Sequence, residues 1–99
     1  MGQEVILVAT IQTKSGMRDQ LKEDLLKIVN LTRQEAGCLQ FEIHEGVKNP
    51  DMFVLWEHFA SQADFDKHLA MSYTKDYFVK GNALSTDVVT LKRLKQEPT

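Results

Sequence analysis

The sequence has little of what several classes of protein require. A single cysteine, Cys38, excludes an intrachain disulfide and a cysteine-based zinc site. The net charge of −2 gives no electrostatic case for nucleic acid or an anionic membrane, which clustered Lys and Arg would bind. No apolar run approaches the roughly 18 residues of a membrane span, and no basic region precedes the N-terminal apolar stretch as in a signal peptide. We therefore predict a cytosolic protein that has neither nucleic acid nor membrane as a partner.

Motifs for metals and phosphates are also missing from the sequence. The three histidines, His44, His58 and His68, lack the spacing of a ligand set, and no His-x₃-His pair occurs. No glycine-rich loop of the kind that cradles phosphate is present. We therefore predict no metal site.

The composition is that of one small globular domain. The chain has 99 residues, of which 42% are hydrophobic and 26% charged, and this length allows a single core. We predict one domain over residues 1–99, with its core from about residue 4 to 94. The tail over 95–99 is expected to be frayed.

The first third of the chain predicts a strand followed by a helix. Residues 4–13 are rich in β-branched residues and apolar on both faces, which is typical of a central strand covered on both sides. After a turn at 14–16, residues 17–35 carry apolar side chains at spacings of three and four, as in an amphipathic helix with one face on a sheet. Gly37 suits the C-terminal stop of this helix.

The middle of the chain predicts a hairpin. Residues 38–46 alternate between two faces, and residues 52–59 form the next apolar run after a strong turn signal at 48–51. The face of the first strand that carries the apolar side chains holds Leu39, Phe41 and Ile43. In the second strand, Glu57 alternates with Phe53 and Leu55, so it is expected to face the same side as they do, whereas Trp56 and His58 are expected to point the other way.

The last third predicts helix and then strand. Ser61 is the expected N-cap of a short helix, with Asp64 three residues on as in a capping box. After a break near residues 71–72, a second helical piece is expected over about 73–83, and a last strand over 86–94.

The order of elements is therefore β-α-β-β-α-β. This order predicts an α+β, ferredoxin-like fold, in which helices cover one face of a four-stranded antiparallel sheet. The other face would then be exposed, although the first strand is apolar on both sides, and a large apolar face is not expected to stay in water. We therefore predict a homodimer that packs sheet face against sheet face.

Several residues resemble the motifs of a known family. Its members share E-x-G-C/N-x-x-[FY] at the start of the second strand, an aromatic–Glu–x–aromatic run at the end of the third, and a His on the following helix. The matching residues here are Glu35, Gly37, Cys38, Phe41, Trp56, Glu57, Phe59 and His68. The similarity runs from about Val5 to Leu94, and the chain resembles the antibiotic biosynthesis monooxygenase family of dimeric α+β barrels.

The resemblance implies a range of functions. The family includes cofactor-free quinol or anthrone monooxygenases, haem-degrading enzymes and an isomerase of a phosphorylated signal-molecule breakdown product. The haem-degrading branch carries an Asn on the first strand and a Trp near the position of His68, and this sequence has neither. The resemblance therefore implies a monooxygenase of quinol-like or other small aromatic or enolic substrates that needs no cofactor.

His68 and Glu57 are the expected catalytic residues. An imidazole titrates near operating pH and can take a proton from a phenol or an enol, although a helix-surface His between Asp66 and Lys67 is the alternative. Glu57 is expected to orient His68 or to raise its basicity, and an edge carboxylate in an ion pair is the alternative.

Aromatic side chains on the second helical region are the expected substrate contacts. Tyr73, Tyr77 and Phe65 would suit a flat aromatic substrate, and simple core packing is the alternative. Relatives closer to this chain carry a second His about five residues after the first. Here that position is Tyr73, which argues against a two-histidine mechanism.

Two other functions stay open from the sequence. An isomerase of small phosphorylated dicarbonyl compounds would need a cation for the phosphate, for which Lys67, Lys75 and Lys80 are candidates without a compelling cluster. A non-enzymatic binding or stress module is the third possibility, and a pocket packed solid by aromatic side chains would favour it.

Overall fold

The computed structural model describes residues 3–96 as a four-stranded antiparallel sheet with three helices on one face. The elements are β1 (Val5–Thr13), α1 (Arg18–Thr32), β2 (Cys38–Glu45), β3 (Met52–Phe59), α2 (Gln62–Ala70), α3 (Ser72–Lys80) and β4 (Ala83–Leu91). This arrangement confirms the predicted ferredoxin-like fold. Residues 1–2 and 97–99, including the end of the tail predicted to be frayed, lie outside the described residues, and the single-domain extent stays a prediction.

Element boundaries differ from the predicted ones at the helix ends. The helix predicted over 17–35 ends at Thr32, because the next two turns are tighter, with the N–H groups of Gln34 and Glu35 donating three residues back. Glu35 therefore lies in a turn beside the sheet. The strand predicted from residue 86 begins at Ala83, immediately after Gly81 ends α3 in a left-handed conformation.

Two of the strands occupy the centre of the sheet. The strand order is β2-β3-β1-β4, so β1 and β3 are central, as the two apolar faces of β1 predict. In this register Glu57 of β3 lies between Leu7 of β1 and Phe41 of β2. Its immediate neighbours in the sheet are therefore apolar.

The side chains of β3 alternate cleanly between the two faces. Phe53, Leu55, Glu57 and Phe59 are buried on the face that the helices cover, and the residues between them are only partly buried. The expectation that Glu57 points toward the helices is therefore correct. One polar residue thus lies in a row of core side chains.

The predicted alternation of β2 fails at one position. The register shifts between Cys38 and Gln40, so one extra residue is inserted opposite β3. As a result Cys38 packs against the core and Leu39 is 57% exposed, although it was expected on the same face as Phe41. The prediction for Leu39 is wrong because Leu39 lies in a bulge, where the alternation of side-chain direction is broken.

The three helices are 15, 9 and 9 residues long. Within residues 3–96, no helix is both long enough and apolar enough to cross a bilayer.

Candidate functional site

A small apolar cavity lies between the sheet and the helices. Its volume is about 110 Å³, and its walls are mainly aliphatic and phenyl side chains from β1, β3 and the three helices. The polar residues in its lining are Glu57, His68, Thr74, Tyr77 and Thr86. A largely apolar cavity with a few convergent polar groups has the composition of a small-molecule site.

The start of α2 fixes the position of His68. Ser61 caps the helix as predicted, since its hydroxyl accepts from the Asp64 backbone N–H at 3.2 Å and donates to the Asp64 carboxylate at 2.8 Å. Two turns later His68 points into the core and is 4% exposed. The alternative of a helix-surface histidine is therefore excluded by its burial.

Three phenyl rings surround the His68 imidazole. The ring centroids of Phe59, Phe41 and Phe65 lie 5.0, 5.5 and 6.2 Å from that of His68. These contacts leave the imidazole little freedom to rotate and keep water from its faces. The side chain is thus held in one orientation beside the cavity.

A carboxylate holds one nitrogen of the imidazole. Nδ1 of His68 lies 3.1 Å from Oε2 of Glu35, and both side chains are less than a tenth exposed. The Tyr73 hydroxyl donates to the same carboxylate oxygen. Because a carboxylate only accepts, Nδ1 carries the proton of this contact, and Nε2 of the neutral ring is left as the acceptor.

Tyr73 acts as a neutral donor in this cluster. Burial, and then its hydrogen bond to Glu35, raise the pKa of the Tyr73 hydroxyl well above its ordinary value. Tyr73 therefore keeps its proton and donates it in the hydrogen bond to the Glu35 carboxylate. Tyr73 does not line the cavity, unlike the other two aromatic residues expected to contact substrate, Phe65 and Tyr77.

Glu57 reaches the cavity from the sheet side. It is 7% exposed, and no hydrogen bond or ion pair to its side chain occurs within residues 3–96. Burial alone raises the pKa of the Glu57 carboxyl to about 7. Glu57 and His68 therefore line one cavity, but the carboxylate against Nδ1 is that of Glu35 and not that of Glu57.

Two hydroxyl groups near the cavity are also without a partner. The Tyr77 hydroxyl and Oγ1 of Thr74 are buried and make no hydrogen bond to the described residues. Burial, then the charges of Asp24 and Glu57, raise the pKa of Tyr77 to about 12. The α3 side of the site is therefore polar but uncharged.

Glu35 is the site residue that the sequence reasoning did not assign. Gly37 makes its position possible, because a Cβ there would overlap the Asp64 side chain, and the Ala60 N–H donates to the Gly37 carbonyl at 2.9 Å. This close approach brings the turn after α1 against the start of α2. In the sequence, the spacing of Glu35 and Gly37 was the signal for this residue, but it was used only as part of the family motif.

The other two histidines lie outside the cavity lining. His58 points to the opposite face, as predicted, where Nε2 lies 2.6 Å from a Glu4 carboxylate oxygen that Arg93 also binds. Arg93, and then His58, lower the pKa of Glu4 to about 2. His44 is exposed on β2. Across residues 3–96, no three His, Cys, Asp or Glu side chains cluster as metal ligands would.

Several known proteins resemble this chain in sequence and in fold. The family model described as antibiotic biosynthesis monooxygenase matches residues 4–80. The structure of PA3566 from Pseudomonas aeruginosa superposes with a TM-score of 0.89 at 28% identity, covering 96% of this chain and 98% of that one. SO0527 from Shewanella oneidensis gives 0.85 at 29% identity, covering 92% and 91%.

A curated relative agrees with these structures. The Bacillus subtilis protein YcnE, whose name carries a provisional monooxygenase assignment, is 25% identical over 80 residues, which are 81% of this chain and 84% of YcnE. The match over residues 4–80, with the shared fold, shows that this chain belongs to the antibiotic biosynthesis monooxygenase family.

Proposed function

We propose that this protein is a cofactor-independent monooxygenase of small quinol-like or enolic aromatic substrates. The observation that carries the proposal is the His68 imidazole, which is buried beside an apolar cavity with Nδ1 held by Glu35. This arrangement supports a general base whose free nitrogen, Nε2, takes the substrate proton. The phenolate formed in this way is electron-rich enough to reduce oxygen directly.

The overall reaction balances without a further reductant. A phenolic O–H, a ring C–H and one O₂ become two ring C=O groups and one H₂O, with both electron pairs supplied by the substrate. His68 takes the phenolic proton, and the ring carbon then bonds to oxygen in two one-electron steps. The apolar walls favour this chemistry because they limit the access of water to the anion and the peroxide.

The cavity volume limits the size of the reacting part of the substrate. At about 110 Å³ it is somewhat smaller than the ~150 Å³ cavity that is known to hold benzene in another protein. We infer a substrate whose reacting part is one ring. Phe65 and Tyr77 are the proposed aromatic contacts of the substrate. Tyr73 instead donates a hydrogen bond to Glu35.

The two alternatives have less support. The described residues that line the cavity include no Lys or Arg, so no cation favours the phosphate of an isomerase substrate. The cavity is not filled by Phe65, Tyr77 and Phe78, whereas a vestigial site in a binding module was expected to be packed solid. Competition by phosphate esters remains the test for the isomerase.

Oxygen uptake with a panel of single-ring quinols tests the proposed activity. We expect the wild-type protein, without added metal or flavin, to consume oxygen faster than the quinol does alone, and to form a hydroxylated quinone. Uptake no faster than the uncatalysed rate across the panel would disprove the proposal. Pre-treatment with a chelator is the control for traces of metal.

We also propose that two copies pack through the outer face of the sheet. In the sheet register Val8 lies between Trp56 and Val89, and Val89 is 57% exposed. This continuous apolar row supports burial against a second copy. A cytosolic location stays a prediction from the sequence.

The dimer is tested by introducing a charge on the outer face. We expect light scattering at micromolar concentration to give the mass of two chains for the wild type and of one chain for Val89→Glu, because the pairing would bury a carboxylate without a partner. Val79→Glu is the matched control, since Val79 is 85% exposed on α3, away from this face. A wild-type monomer would contradict the proposal.

A further inference from the structure

We propose that Glu57 is the proton donor of this site: its carboxylic acid protonates the oxygen atom that leaves as water when the O–O bond of a substrate hydroperoxide breaks. The proposal rests on the monooxygenase function proposed above. It assigns to Glu57 a step that His68 cannot perform at the same moment, because His68 is then acting as a base.

The positions of the two groups support separate roles. Glu57 enters the cavity from β3, in the sheet, and His68 enters from α2, in the helical layer. A substrate ring between the two layers can contact both side chains. The His68 imidazole is held by Glu35, and this leaves the Glu57 carboxyl free to contact the substrate.

The surroundings of Glu57 favour the protonated form of its carboxyl. Its sheet neighbours Leu7 and Phe41 are apolar, and the titratable groups that face it are His68 from α2, Tyr77 from α3 and the Cys38 thiol from β2. Burial raises the pKa of Tyr77 and of the Cys38 thiol, so both are neutral. His68 is therefore the only one of these groups that becomes cationic.

A buried carboxyl without a cation holds its proton to a higher pH than an ordinary glutamate does. The pKa of Glu57, raised to about 7 by burial, lies in the range where an acid catalyst is most effective. When His68 takes a proton from the substrate, its new positive charge favours ionisation of Glu57. The two groups are thus coupled so that protonation of one favours release from the other.

The proton balance of the reaction requires such a donor. His68 first takes the phenolic proton and returns it to the peroxide anion, which gives a ring hydroperoxide. His68 then takes the ring C–H proton, the C–H electron pair forms the new C=O bond, and the O–O bond breaks. The departing oxygen takes the proton of Glu57 and leaves as water, and one proton passing from His68 to Glu57 restores both groups.

A competing route makes the role of Glu57 measurable. In a quinol, the second hydroxyl allows the hydroperoxide to leave whole as H₂O₂, while the ring is oxidised by two electrons to the unhydroxylated quinone. This route needs no cleavage of the O–O bond. The ratio of H₂O₂ released to O₂ consumed therefore reports whether the acid acts.

Glu57→Gln tests the proposal, because the amide keeps the size and hydrogen-bonding capacity of the side chain but cannot give up a proton. We expect oxygen uptake to continue, the water-forming route to slow roughly 10²-fold, and most of the oxygen consumed to be recovered as H₂O₂. Glu57→Asp should restore part of the hydroxylated product. Glu23→Gln, which changes an exposed carboxylate on α1, should keep the wild-type ratio.

Two results would overturn the assignment. One is a Glu57→Gln protein that releases no more H₂O₂ per O₂ than the wild type. The other is a carbon NMR titration in which the Glu57 carboxyl ionises at the ordinary pKa of a glutamate, which is readable without any substrate. A wild type that consumes no oxygen with any quinol would disprove the proposed function and this role with it.

Discussion

Replacing His68 by alanine is expected to lower kcat for quinol-dependent oxygen uptake by about 10²–10⁴-fold, the range for loss of a positioned general base. The imidazole is the only base in the described cavity lining with a free nitrogen and a fixed tautomer, since Nδ1 is held by Glu35. Without it, the quinol must reach the oxygen-reactive anion by its own slow ionisation. The loss should shrink as pH rises toward the pKa of the substrate phenol.

Controls separate this effect from loss of structure. His44→Ala removes an exposed histidine on β2 and should leave kcat unchanged. Far-ultraviolet circular dichroism of His68→Ala should match the wild type, because the change shortens one side chain beside an existing cavity. A His68→Ala protein that folds and keeps the wild-type kcat would contradict the assignment of the base.

Glu35 is a positioning residue in this scheme, and its loss should have a smaller and different effect. Glu35→Gln still contacts Nδ1 but can present its amide NH₂ group, which no longer fixes the proton on Nδ1. We therefore expect a lower kcat with little change in KM.

Replacing Glu57 by glutamine is expected to make folding stability less dependent on pH and to stabilise the protein above pH 7. In the folded protein the pKa of Glu57 is raised from 4.5 to about 7, so between these values the folded state binds more protons than the unfolded state. The free energy of unfolding must then fall as pH rises through this window. The difference corresponds to about 3 kcal/mol.

The sign of this effect distinguishes a buried acid from an ion-paired carboxylate. The stabilising contribution of the protonated carboxyl is fully present below pH 4.5 and is lost by about pH 7, the reverse of the usual glutamate. Urea unfolding of the wild type and Glu57→Gln at pH 5 and pH 8 measures it. We expect the variant to gain stability relative to the wild type only at the higher pH.

Glu23→Gln is the matched control for this measurement. Glu23 is exposed on α1, so the loss of its charge should have little effect on stability at either pH. An equal effect of Glu57→Gln at both pH values would contradict a raised pKa. Such a result would also remove the basis for a proton donor at this position.

The buried carboxyl of Glu57 has opposite effects on stability and on the proposed catalysis. A buried carboxyl with no partner weakens the fold at neutral pH, yet this is the property that keeps a proton available inside an apolar cavity. His68 differs, because its hydrogen bond to Glu35 and the three phenyl rings give it a defined orientation. Burial of Glu57 thus favours the proposed catalysis but lowers stability at neutral pH, whereas the contacts of His68 favour both.

The sequence by itself determined the fold and the facing of most strands. The periodicities are long and clear, so the order of elements, the N-cap at Ser61, the inward direction of Glu57 and the outward direction of His58 were all predictable. Local patterns sufficed here because each depends on neighbours along the chain. The bulge at Leu39 was not predictable, since one inserted residue leaves no mark on composition.

Only the tertiary structure decided which groups meet. Glu35 is 33 residues before His68, and their contact depends on the short helix end at Thr32 and on the close packing of Asp64 over Gly37. The sequence placed a carboxylate near the histidine but chose Glu57, because strand alternation is visible in a sequence and the direction of a turn is not. Burial, which depends on every element packed around it, is what gives Glu57 its own chemistry.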